Sequence, residues 1–76
     1  MTANDKKRLA EKAMNEWSRL AYKNARTDAE VNDLLEEIAG EKYSDYEELD
    51  NPIWTIINRL DTAELFDFLE RCESIG

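Results

Sequence analysis

Asn51-Pro52-Ile53-Trp54-Thr55-Ile56-Ile57-Asn58-Arg59-Leu60 is the most apolar run in a very polar chain. Its reading decides the fold class. Ile53, Ile56, Ile57 and Leu60 recur at i, i+3, i+4 and i+7, the spacing of one helical face. Asn51 has the side chain of an N-cap, and Pro52 suits the first helical position, where no backbone N–H is needed. The run predicts a helix from Pro52 to about Leu60 with an apolar side that other elements must cover.

Working toward the C-terminus, Asp61-Thr62-Ala63-Glu64 offers a second N-cap pattern, followed by Leu65, Phe66, Phe68, Leu69 and Cys72. A single helix over 52–72 would turn Leu65, Phe66, Leu69 and Cys72 well away from the isoleucine stripe. A break near Asp61 gives each stripe its own helix. Phe66 and Phe68 point about 160° apart. One of them is therefore expected at the surface as a partner anchor, unless the helix is sandwiched between two neighbours.

Working toward the N-terminus, Ser44-Asp45-Tyr46-Glu47 matches a capping box and predicts a short helix from Asp45 to Leu49, ended by Pro52. Thr27-Asp28-Ala29-Glu30 matches another. It predicts a helix carrying Val31, Leu34, Leu35 and Ile38 as far as Ala39, with Gly40 supplying the left-handed C-cap. A first helix is expected from about Asn4 to Ala25, with Thr2 or Asn4 as cap. Its stripe is Leu9, Ala10, Ala13, Met14, Trp17, Leu20 and Ala21. Lys6, Lys7 and Arg8 oppose the dipole at its start, so its first turn is expected to fray.

The expected fold is thus all-α: one domain over residues 1–76, a small compact bundle of four to five short helices. The predicted core draws on Leu9, Ala13, Trp17, Leu20, Val31, Leu34, Leu35, Ile38, Ile53, Ile56, Ile57, Leu60, Leu65 and Leu69. With 37% of residues charged, only this patterning of the 42% that are apolar separates the chain from a disordered one. Two glycines and one proline argue against a turn-rich β fold. No apolar run approaches the ~20 residues of a membrane span, and no secretory leader is visible. A single cysteine, Cys72, forms no internal disulfide, and a cytoplasmic location fits.

Net charge is −8, unevenly distributed: residues 1–26 carry +4 and residues 27–76 carry −12. One reading lays a basic first helix across an acidic body. The other has the acidic surface meet a basic partner. The same surplus repels phosphates, so direct nucleic-acid binding is not expected. Catalysis is not expected either. There is no histidine, no glycine-rich phosphate loop and no metal-ligand spacing, so no cofactor or metal is implied. Asp61, Glu64, Asp67, Glu70 and Glu73 recur every three residues along the last helix. Such carboxylates suit a basic partner or imitate a nucleic-acid backbone, the latter as a second alternative function.

Arg26-Thr27-Asp28-Ala29-Glu30 resembles the Arg-Gly-x-x-Glu motif of the succinate dehydrogenase flavinylation factors (assembly factor 2), with Thr27 standing where that family has glycine. Glu64-Leu65-Phe66-Asp67-Phe68-Leu69 is similar to a second stretch of the family, and the two align without a gap from Arg19 to Leu69. The resemblance implies binding of a flavoprotein dehydrogenase subunit and promotion of its flavin attachment, with Arg26 and Glu30 at the contact. A second, gapped similarity links Tyr43-Ser44-Asp45 and Arg59-Leu60-Asp61-Thr62-Ala63-Glu64-Leu65 to the Hha-type nucleoid modulators.

The function expected from the residues themselves is a non-catalytic acidic protein-binding module: a regulator, adaptor or inhibitor. Its expected partner-binding residues are Arg26, Glu30, Asp61, Glu64, Phe66, Asp67, Phe68 and Glu70. A leftover apolar face also allows a homodimer.

Overall fold

The computed structural model describes residues 3–42 and 51–76. The expected cap at Ser44 and short helix at 45–49 lie outside them, as does Thr2. The described residues form four helices and no strand: α1 (Ala3–Ala21), α2 (Ala25–Ala39), α3 (Pro52–Arg59) and α4 (Thr62–Ile75). This is the all-α bundle that the hydrophobic periodicity predicts.

Three helix boundaries follow the local chemistry read from the sequence. Asn51 caps α3 by accepting a hydrogen bond from the Trp54 backbone N–H at 3.1 Å, and Pro52 opens the helix. Asp61 caps α4: it accepts from the Glu64 N–H at 2.8 Å, and the Glu64 side chain accepts from the Asp61 N–H at 3.0 Å. Leu60 is extended, so α3 and α4 are separate helices. Gly40 closes α2 at φ 69°, a left-handed conformation that costs glycine little because it has no Cβ.

The α1–α2 junction differs from expectation. α1 ends at Ala21, not Ala25, and the cap of α2 is Asn24, not Thr27. Asn24 Oδ1 accepts from the Thr27 N–H at 2.9 Å, and Thr27 Oγ1 accepts from the Asn24 N–H at 3.3 Å. Thr27 is therefore the third helical residue. It is fully buried, and its hydroxyl donates to the Leu20 carbonyl at the end of α1. One threonine thus satisfies orphan groups of two helices. At the other end, α1 is helical from Ala3, so Asn4 is inside the helix rather than its cap. Asp5 places a negative charge in the first turn, which offsets part of the conflict between Lys6, Lys7 and Arg8 and the helix dipole.

All four helices contribute to one core, formed by Leu9, Ala13, Leu20, Val31, Leu34, Leu35, Ile53, Ile56, Ile57, Leu60 and Leu65, together with Ala10, Phe68 and Cys72. Trp17, Ile38 and Leu69 pack at its edge, half-buried rather than central. α1 and α2 form an antiparallel hairpin, with Trp17 meeting Asn32 and Leu20 meeting Thr27. α4 packs on both of them, while α3 packs on α1 and α2. The basic α1 does not clamp an acidic body through ion pairs. Among the described residues, no ion pair joins a cation of α1 to α2 or α4, and Arg19 pairs within α1 itself, with Glu16 at 2.8 Å.

Candidate functional site

The expected contact residues divide between structural and surface roles. Arg26 and Glu30 stand one turn apart on α2 and form an exposed ion pair at 2.6 Å. Arg26 Nη2 also donates to the Ile75 carbonyl at 3.4 Å, bridging to the end of α4. That end has no base of its own in its last turn, so Arg26 supplies charge that the helix dipole favours. Arg26 through Glu30 all lie inside α2. Further along, Arg71 of α4 reaches Glu37 of α2 at 2.8 Å and Asp67 of its own helix at 3.8 Å. Between these pairs runs an open groove of about 480 Å³, with Leu34 and Ile75 in its wall and Asp33 without a partner among the described residues.

Asp61 and Glu64 cap α4, so they do not form a free acidic row with Asp67, Glu70 and Glu73. Phe66 is 51% exposed and Phe68 is 0% exposed. Burial removes Phe68 from the surface, so of the two phenylalanines Phe66 is the one left at the surface. Glu70 is exposed one turn beyond it, without a partner among the described residues.

A second arrangement was not legible in the sequence. Trp17, expected in the core, is half-buried. Its indole Nε1–H donates to Asn32 Oδ1 at 2.9 Å, and Asn32 Nδ2 donates to Asp28 Oδ1 at 2.8 Å and to the Asp28 carbonyl at 2.9 Å. Tyr22, 83% exposed, stands edge-on to Trp17 with ring centroids 6.3 Å apart. Trp17, Asp28, Asn32 and Glu36 line a cleft of about 370 Å³ between α1 and α2. The i, i+4, i+8 spacing of Asp28, Asn32 and Glu36 was visible, but the tryptophan that α1 places against them was not.

Cys72 is fully buried. Burial pushes its thiol up to about 12, with the Glu16 carboxylate adding to the effect and Arg19 opposing it, so the nucleophilic thiolate is strongly disfavoured. Among the described residues every buried side-chain nitrogen and oxygen has a partner. No group of three or more cysteines and carboxylates among them is placed to hold a metal ion, and no helix is long and apolar enough to cross a membrane. The chemistry this arrangement offers is recognition of cations at exposed carboxylates.

Comparison of the chain with family models, curated proteins and solved structures finds no match.

Proposed function

We propose that this protein is a cytoplasmic, non-catalytic binding module, a regulator, adaptor or inhibitor, that engages a basic protein partner through the acidic surface of α2 and α4. The observation that carries this reading is the charge on these two neighbouring helices. α2 bears Asp28, Glu30, Asp33, Glu36 and Glu37, and α4 bears Glu64, Asp67, Glu70 and Glu73, against Arg26 and Arg71 alone. Glu36 and Glu37 occupy the last turn of α2, where the dipole disfavours negative charge and no base is present. Arg71 offsets Glu37, while Glu36 is uncompensated among the described residues. A surface that folding alone would not favour is explained by an external cation.

The test is capture of partners from host lysate on immobilised protein at low and high salt, with the eluate identified by mass spectrometry. A basic protein lost at high salt supports the reading. A flavoprotein dehydrogenase subunit retained at high salt would instead support an assembly factor that makes contact through Arg26 and Glu30. Recovery of the bait alone, with a concentration-dependent melting temperature, would sink the proposal in favour of a homodimer.

A further inference from the structure

We propose that the cleft between α1 and α2 receives an arginine side chain of that basic partner, its guanidinium lying on the Trp17 indole between the carboxylates of Asp28 and Glu36. The inference rests on the reading of the protein as a binder of a basic partner, and it names the contact. Three observations converge on it.

The first is the aromatic surface. Trp17 is left half-buried at the edge of the core, and it lines the cleft. Tryptophan is the strongest cation–π acceptor among the side chains. The hydrogen bond from its Nε1–H to Asn32 tethers the ring, and Tyr22 stands edge-on to it, which reduces the ordering a ligand must impose.

The second is the disposition of charge. Asp28, Asn32 and Glu36 follow one another at intervals of one turn, about 6 Å along the axis. Trp17 is hydrogen-bonded to the middle residue, and Asp28 and Glu36 lie one turn of α2 to either side of that residue and line the same cleft. Asp28 uses Oδ1 to hold Asn32, which leaves Oδ2 without a donor among the described residues, and Glu36 has no partner among them. A cation in the cleft is attracted by both.

The third is the helix end. Glu36 sits where the α2 dipole opposes it, and a bound cation relieves that conflict. The cleft is open, so the choice between cations rests on shape: the flat guanidinium stacks on a ring and pairs with a carboxylate at once, which the compact lysine ammonium does not.

The experiment is a titration of nitrogen-15-labelled protein with the capped peptide acetyl-Gly-Gly-Arg-Gly-Gly-amide, followed through the two tryptophan indole N–H signals. Trp54, on α3, is the internal control. The expected result is a saturable shift of the Trp17 signal with Trp54 unmoved. The citrulline analogue, neutral and nearly isosteric, should leave both signals in place, and the lysine analogue should bind more weakly. In the double variant Asp28→Asn, Glu36→Gln the affinity should fall by ~10-fold or more, the factor equivalent to about 1.4 kcal/mol. That variant keeps an acceptor at position 28 for Asn32 and removes the unfavourable charge at Glu36, so it folds. Equal binding by the double variant, equal binding of the lysine peptide, or shifts spread over the acidic surface with Trp17 unmoved would each overturn the proposal. A basic partner captured from lysate that leaves the Trp17 signal unchanged would defeat this contact while leaving the functional reading intact. Arginine binding at Trp17 with no salt-sensitive partner in any lysate would do the reverse.

Discussion

Phe66 and Phe68 stand two positions apart and occupy opposite environments. The sequence admits two apolar arcs on α4, one through Phe66 and one through Phe68, both including Leu65 and Cys72. Local periodicity does not choose between them. Packing of α4 against both α1 and α2 chooses the arc of Leu65, Phe68 and Cys72, all buried. Phe68→Ala should therefore cost ~3–5 kcal/mol, a large share of the ~5–15 kcal/mol typical of a whole domain. Phe66→Ala should stay within about 0.5 kcal/mol of the parent. Urea midpoints of the two variants check this, and comparable losses would mean that Phe66 is also a core residue. Cys72 gives a prediction of known sign. Its thiol is raised in the folded state from 9.0 to about 12, chiefly by burial. Below pH 9 both states hold the proton and the contribution of the thiol to stability is complete. Between pH 9 and about 12 the unfolded chain releases the proton while the folded chain keeps it, so stability falls as pH rises. Urea unfolding across that window should show the decline in the parent and a shallower one in Cys72→Ala. Equal slopes would show that the thiol is not its source.

At the scale of the helices, what was legible depended on whether the deciding contact was local. Asn51, Asp61 and Gly40 act within three or four residues of themselves, and each boundary they mark is where the pattern puts it. The α1–α2 junction was misplaced because Thr27 satisfies two local patterns at once: N-cap with Glu30 beyond it, or third residue with Asn24 before it. The choice is made by a contact between the two helices, the hydroxyl of Thr27 reaching the Leu20 carbonyl, and periodicity carries no signal of that. The same limit hid the Trp17–Asn32 pairing. The revised junction predicts that Asn24→Ala costs about 1 kcal/mol of stability, as the loss of an N-cap does. Glu30→Ala should cost less, because it removes only an exposed ion pair worth ~0–1 kcal/mol. Thermal melts of the two variants distinguish the caps: a larger loss for Glu30→Ala would return the helix start to Thr27. α3, only eight residues long, is too short to be stable in isolation. It persists because Ile53, Ile56 and Ile57 are buried against α1 and α2.

For the whole molecule, the decisive quantity is the balance of charge across a very small body. The radius of gyration is 11.6 Å, close to one Debye length at ~0.1 M salt, so at lower salt every charge feels the others. Repulsion among the nine carboxylates of α2 and α4 is relieved between the two helices by a single ion pair, Arg71 to Glu37, among the described residues. Lys6, Lys7, Arg8 and Lys12 of α1 are exposed and pair with none of those carboxylates. Screening should then remove more repulsion than attraction. At neutral pH the melting temperature should rise as sodium chloride is raised from near zero to ~0.3 M, a range in which screening dominates over salt effects on apolar burial. A falling melting temperature would mean that the field of α1 across the bundle outweighs the repulsion within its acidic pair. The direction also bears on function. Binding of a basic partner weakens with salt while the fold that presents the acidic surface strengthens. Over the same range, loss of a captured partner therefore reports screening of the contact and not unfolding of the module.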